Sequence, residues 1–199
     1  MQKVTFKPHE LPYQINEQIK YLRANIQFCG DDKKVILITS TTAGEGKSSL
    51  TLELAKSLAE LGKRVLLLDG DLRRSAMKYQ MVNRENIKTG LAHYLSGMAN
   101  LEEALCVTNE PVMYAMLAGP VPPNPTELLA GRRFGSLLEW GKSQFDYILI
   151  DTAPLGVVSD AAVLAPKCDG AVVVVEAGKG PYRAVQSVVQ QLRDANGPV

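Results

Sequence analysis

STTAGEGKSS, Ser40 to Ser49, is the stretch on which the fold turns. It closes in Gly46-Lys47-Ser48, the end of a G-x-x-x-x-G-K-[ST] phosphate loop, yet Thr41 stands where that pattern has its first glycine. Before it lies Val35–Thr39, VILIT, a short β-branched run that predicts a buried strand. After it, Leu50, Leu54, Leu58 and Leu61 recur at helical spacing and predict an amphipathic helix over 48–61, stopped by Gly62. A second strand over Arg64–Leu68 ends at Asp69, so residues 35–69 form one βαβ unit. Such a unit implies a parallel sheet with a right-handed crossover.

Outward from that unit, residues 1–14 carry Pro8 and Pro12 and predict an extended arm. Ile15, Ile19, Leu22 and Ile26 then fall at a helical period, broken by Asp31 and Asp32. Residues 72–110 are mixed and polar, with a helix near Gly90–Ser96, and Val112–Leu117 is another apolar run. In AGPVPPNPTELL, Asn124 is a candidate cap, Pro125 fits the first helical position and Glu127 completes a capping box. DYILI, Asp146–Ile150, is a strand ending at Asp151. AVVVV, Ala171–Val175, is continuous apolar sequence and predicts a central strand buried on both faces. A helix follows over Arg183–Arg193, and the closing DANGPV looks like the lead-in to a further strand, as in a shortened chain.

The bulk numbers narrow the function class. The 199 residues suit one compact domain, 46% hydrophobic and 22% charged. A net charge of +1 argues against a nucleic-acid footprint. Cys29, Cys106 and Cys168 are far apart and read as reduced and structural, and the isolated His9 and His93 argue against a His-based metal site. The N-terminus has no signal-peptide pattern, and no apolar run is long enough to span a membrane.

Three features follow three predicted strands, so all converge on the carboxyl edge of the sheet, where open α/β sheets bind ligands. Ala43, Gly44, Glu45, Gly46, Lys47, Ser48 and Ser49 form the phosphate cradle, with Lys47 reaching the β- and γ-phosphates and Ser48 ligating Mg²⁺. In LLLDGDLRR, Asp69 and Asp71 alternate at a strand end and so point to different sides locally, with Arg73 and Arg74 behind them. In ILIDTAP, Asp151 is the strand-end carboxylate that holds Mg²⁺, and Thr152 is a candidate turn cap. Ser48, Asp71 and Asp151 suffice for the metal, which leaves Asp69 as a base for water or a hydroxyl. These residues fit an ATPase or a kinase.

The combination resembles the bacterial tyrosine kinases of capsule and exopolysaccharide systems. GEGKS at 44–48, LLLDGDLR at 66–73, ILIDTAP at 148–154, PPNPTELL at 122–129 and DGAVVVV at 169–175 carry the resemblance, which extends from about Glu17 to the end. Ala153 departs from the family, which has a proline there. The resemblance implies an α/β P-loop NTPase of the MinD/ParA-like variant, a mostly parallel twisted sheet with helices on both faces. The kinase domain would cover 15–199, behind an arm over 1–14. It implies Mg²⁺·ATP-dependent tyrosine phosphorylation in trans, with Lys47, Asp69, Asp71 and Arg73 catalytic. Arg73 would stabilise transferred charge or orient the aspartates. It further implies a cytoplasmic protein at the inner face of the membrane, held there by a chain-length-determinant partner, and ring-like self-association. The family's E-x-x-R-x-x-R helix motif is matched by Glu17, Lys20 and Arg23, with Lys20 at the first arginine position. The family's terminal tyrosine cluster has no counterpart: Tyr13, Tyr21, Tyr79, Tyr94, Tyr114, Tyr147 and Tyr182 are scattered.

Two rival readings share the fold. A ParA/MinD-type ATPase switch carries a signature lysine in the loop, but that position here is Thr42. A non-catalytic nucleotide-binding module for a membrane partner is opposed by the intact Lys47, Asp69, Asp71 and Asp151.

Overall fold

A computed structural model describes residues 1–8 and 10–195. His9 and the expected strand lead-in at 196–199 lie outside the described residues. In chain order the elements are β1 (Gln2–Lys3), α1 (Tyr13–Phe28), β2 (Val35–Ser40), α2 (Lys47–Glu60), β3 (Val65–Asp69), α3 (Leu91–Leu95), α4 (Leu101–Ala104), β4 (Cys106–Val107), β5 (Met113–Met116), α5 (Pro125–Ala130), α6 (Arg132–Gln144), β6 (Tyr147–Asp151), α7 (Asp160–Leu164), β7 (Gly170–Val174) and α8 (Tyr182–Asp194).

Among the described residues the strands form one seven-stranded sheet in the order β1-β4-β5-β3-β6-β2-β7. Every pair is parallel except β4–β5. The predicted β2-α2-β3 unit is present, with β6 inserted between its strands, so β2, β6 and β3 end side by side. Alternate residues of these strands feed two cores, as strand pleating requires. Leu37, Leu66, Leu68, Ile148 and Ile150 pack with α3, α5, α6, α7 and α8 on one face. Ile36, Ile38, Val65, Leu67 and Leu149 pack with α1 and α2 on the other. Full burial of each such side chain is worth about 1.5–3 kcal/mol.

Three expectations need correction. First, β7 lies at the edge of the sheet among the described residues, and all five of its residues are half-buried. Its apolar run is still accounted for: Ala171 and Val173 pack on one core while Val172 and Val174 pack on the other. Two-faced packing explains an apolar run, but says nothing about pairing along the strand's second edge. Second, Asn124 makes no side-chain cap to α5, so the capping box is not formed. Third, α2 buries more than one leucine stripe. Leu52, Leu54, Ala55 and Leu58 are inside while Leu61 is half exposed, because α2 lies between the sheet and α1.

The N-terminal residues are built into the molecule. Gln2 and Lys3 pair with Cys106 and Val107, Val4 and Phe6 are buried, and Phe6 bridges to Met81. The Gln2 side chain donates to the carbonyls of Thr89 and Glu103 and accepts the Lys88 and Thr89 amides. Among the described residues no helix is long and apolar enough to cross a membrane.

Candidate active site

The loop after β2 owes its shape to two glycines and one buried carboxylate. Gly44 and Gly46 sit at φ +83° and +84°, a conformation that strains any residue with a Cβ. Gly46 is the N-cap of α2, so the loop ends at the positive end of a helix dipole. Glu45, in contrast, turns back into the protein and is 6% exposed. Its carboxylate accepts the Thr41 hydroxyl at 2.8 Å, the Thr42 amide at 2.7 Å and the Glu176 amide at 3.4 Å. Burial alone would raise the Glu45 pKa, but these donors outweigh it and hold the carboxyl below its ordinary value. The residue replacing the first glycine is therefore one of the braces that close the loop.

The strand ends beside the loop are stitched to it. Thr152 donates its hydroxyl to the Ile38 carbonyl at 2.9 Å, a link between strand ends rather than the expected turn cap. The Leu155 amide donates to the Ser40 carbonyl at 2.9 Å, and the Gly70 amide to the Asp151 carbonyl at 2.7 Å. Gly156 lies so close that a Cβ there would sit 2.1 Å from the Thr41 carbonyl oxygen.

These stitches bring the charged residues together. Asp69 and Asp151 are register partners on adjacent strands, and Lys47 Nζ stands 3.8 Å from Asp71 Oδ2. All four are buried. Asp71 Oδ1 accepts the Arg73 and Arg74 amides at 3.3 and 2.9 Å, which turns Asp71 back toward the site. Asp69 and Asp71, expected on different sides, line one cavity. Asp69 Oδ2 accepts the Ser75 hydroxyl and the Ala118 amide. Ser48 Oγ, Asp69 Oδ1 and both Asp151 oxygens are buried with no hydrogen-bond partner among the described residues. Native proteins leave few such atoms, and each calls for a ligand or a catalytic role. Burial, reinforced by the neighbouring Asp151 charge, pushes Asp69 up to about 7. Burial pushes Asp151 up to about 6 against the pull of Lys47 and of the nearby Ser48 hydroxyl, which stands beside the carboxylate without hydrogen-bond geometry.

Arg73 is held away from the phosphate loop. Its guanidinium binds Asp160 in a fork, at 2.8 and 3.1 Å, and donates to the Thr126 hydroxyl at 2.8 Å. Asp160 is fully buried and also accepts the Thr126 hydroxyl. Ser75, Thr126 and Asp160 escaped the sequence reading. Thr126 lies within the recognised PPNPTELL segment, where capping drew attention to Asn124 and Glu127. Among the expected oligomerisation residues, Lys20 pairs with Glu17 at 2.8 Å. Arg23 instead points into the chain and donates to the Ser57 carbonyl and hydroxyl at 2.6 and 2.9 Å.

Residues 33–196 match the family model described as an AAA domain. The chain is 42% identical over 190 residues to tyrosine-protein kinase CpsD of Streptococcus pneumoniae, across 96% of this chain and 83% of that protein. The kinase domain of Escherichia coli tyrosine kinase ETK superposes with a TM-score of 0.86 at 28% identity, covering 96% of this chain and 78% of that one. The cell division ATPase MinD of Pyrococcus furiosus gives 0.69 at 26% identity, covering 83% and 69%. The P-loop fold implies nucleotide binding, and the kinase domain fits this chain more completely than the ATPase does. The chain belongs to the bacterial tyrosine-protein kinases, built on the AAA-domain fold.

Proposed function

We propose that the chain transfers the γ-phosphoryl group of ATP to a tyrosine hydroxyl, with Mg²⁺ held by Ser48, Asp71 and Asp151. The observation that carries this reading is the set of unpartnered buried oxygens on Ser48, Asp69 and Asp151 around the phosphate loop. A hydroxyl and strand-end carboxylates fit a hard cation that also takes phosphate oxygens. Magnesium, when bound, neutralises charge on the β- and γ-phosphates.

The loop amides and Lys47 hold the phosphates in place. Asp69 Oδ1 accepts the proton of the tyrosine hydroxyl. The phenolate oxygen forms the new P–O bond, the bond from the γ-phosphorus to the β,γ-bridging oxygen breaks, and ADP leaves with that electron pair. In the metal-free protein burial and the Asp151 charge raise Asp69 to about 7, which readies it to take up a proton near neutral pH. Arg73, through Asp160 and Thr126, fixes the segment that carries Asp71, and its backbone amide orients that carboxylate.

The family relation supports a wider setting: acceptor tyrosines on a second copy, and a membrane chain-length-determinant partner that holds the protein at the cytoplasmic face. On α1, among the described residues, Glu17 and Lys20 pair with each other, and Tyr21 and Phe28 are exposed, which suits a self-association face. Arg23 supports that face indirectly, by docking α1 on α2.

Lys47→Met and Asp69→Asn, assayed with an added tyrosine peptide, test the reading. Asp69→Asn should lower phosphotyrosine formation by about 10²–10⁴-fold while retaining ADP binding. Lys47→Met should weaken both. Undiminished phosphotyrosine formation by both variants would overturn the assignment. Phosphate release without phosphotyrosine would favour an ATPase.

A further inference from the structure

The nucleotide side of the site is a cavity of about 600 Å³ that includes Gly44, Lys47, Asp71 and Arg74. A second cavity, of about 720 Å³, opens beside it and shares Asp71, Arg73–Ser75, Lys78 and Tyr79 with it. Asp69 lines only this second cavity, 1% exposed and with its Oδ1 unpartnered. Donor and acceptor spaces thus meet along residues 71–79, with the candidate base on the acceptor side.

The second cavity has two chemical faces. Met81, Ile87 and Leu117 form an apolar wall, of the kind a phenol ring packs against. The remaining charged residues are Arg74, Lys78, Arg84 and Lys88, opposed by Glu85 alone. Arg73, which also lines the cavity, is held by Asp160, and Asp71 faces Lys47. The four cations are exposed, and none forms an ion pair among the described residues. A concave site rimmed by one sign of charge raises the local concentration of opposite charge and speeds its capture. On a chain whose net charge is only +1, this concentration of cations is local.

We propose that this cavity selects acceptor tyrosines embedded in acidic sequence. The phenol ring enters against Met81, Ile87 and Leu117, its hydroxyl reaches Asp69 Oδ1, and flanking aspartate or glutamate side chains meet Arg74, Lys78, Arg84 and Lys88. This rests on the kinase reading above and adds the substrate class to it. Exposed charge pairs are individually weak, so selection acts on capture of the peptide and not on the chemical step.

The test uses the full chain with ADP and two labelled peptides of equal length, each with one central tyrosine flanked by glutamates or by glutamines. Fluorescence anisotropy reads binding, and phosphotyrosine formation with ATP reads turnover. The wild type should bind the glutamate peptide about fivefold more tightly. The preference should shrink to about twofold in the Arg84→Gln/Lys88→Gln double variant, which leaves Arg74 and Lys78 in place, and vanish in about 0.5 M salt. The variant's KM for the glutamate peptide should rise by the factor its binding loses, at unchanged kcat, with its ADP-bound melting temperature intact. Equal binding of both peptides by the wild type overturns the charge selection, even if both are phosphorylated. A preference undiminished in the double variant overturns the assignment to this rim. Selective binding with no phosphorylation of either peptide supports the selection and sinks the kinase reading.

Discussion

After β2 the chain satisfies its buried loop carboxylate from within. Thr41, Thr42 and Glu176 all donate to Glu45, and the loop's backbone is left shaped for phosphate. After β3 and β6 it does the opposite. Asp151 has two bare buried oxygens, Asp69 has one, and burial lifts both carboxyls well above an ordinary aspartate. The first region is a rigid mould, and the second is a store of unsatisfied charge that a cation and a proton can discharge. Phosphate is recognised by backbone, so geometry must be fixed beforehand. In the proposed mechanism the proton and metal chemistry falls to side chains, whose electrostatics stay incomplete until the ligands arrive.

The contrast breaks most visibly at Asp69. Its folded-state pKa of about 7 lies above the ordinary 3.8. Between those values the folded protein binds more protons than the unfolded, so stability falls as pH rises from about 4 to about 7. Asp69→Asn removes the ionised form, and should stabilise the nucleotide-free protein by about 2–4 kcal/mol at pH 8 with little gain at pH 4. Urea unfolding at the two pH values checks this, and an equal effect at both would show that the burial penalty is not the cause. Arg73→Ala leaves the buried Asp160 with only the Thr126 hydroxyl, and should destabilise by about 2–3 kcal/mol, with Arg73→Lys recovering part of it. The mould is sharpened by Gly156→Ala, whose methyl would meet the Thr41 carbonyl. A loss of about 2 kcal/mol should appear as a melting point about 4–8 °C lower. Thr41→Val should have the smallest effect, about 1 kcal/mol, because the Thr42 and Glu176 amides still serve Glu45.

The strand-loop-helix signals around Val35–Glu60, and the two strands ending in Asp69 and Asp151, were legible because each is local: period, glycine and terminal carboxylate lie within a few residues. What escaped depends on distant segments. Asp160 is 87 residues from Arg73 and 34 from Thr126, and nothing near it in sequence announces a partner. The edge position of β7 was equally hidden, since side-chain pattern reports the faces of a strand and not its edges. Thr41 looked like a lapse from the glycine pattern only while Glu45, four residues on, was counted among phosphate contacts.

The pairing of Gln2 and Lys3 with Cys106 and Val107 bears on assembly in time. On a ribosome, residues 2–6 leave the tunnel about a hundred residues before the segment that receives them, and such distant closures form slowly. Phe6 and Val4 must therefore wait, apolar and unshielded, until β4 and the Met81 segment exist to cover them. Since Gln2 also fixes Lys88 and Thr89, the wall of the second cavity is completed only when this early-made segment is finally seated.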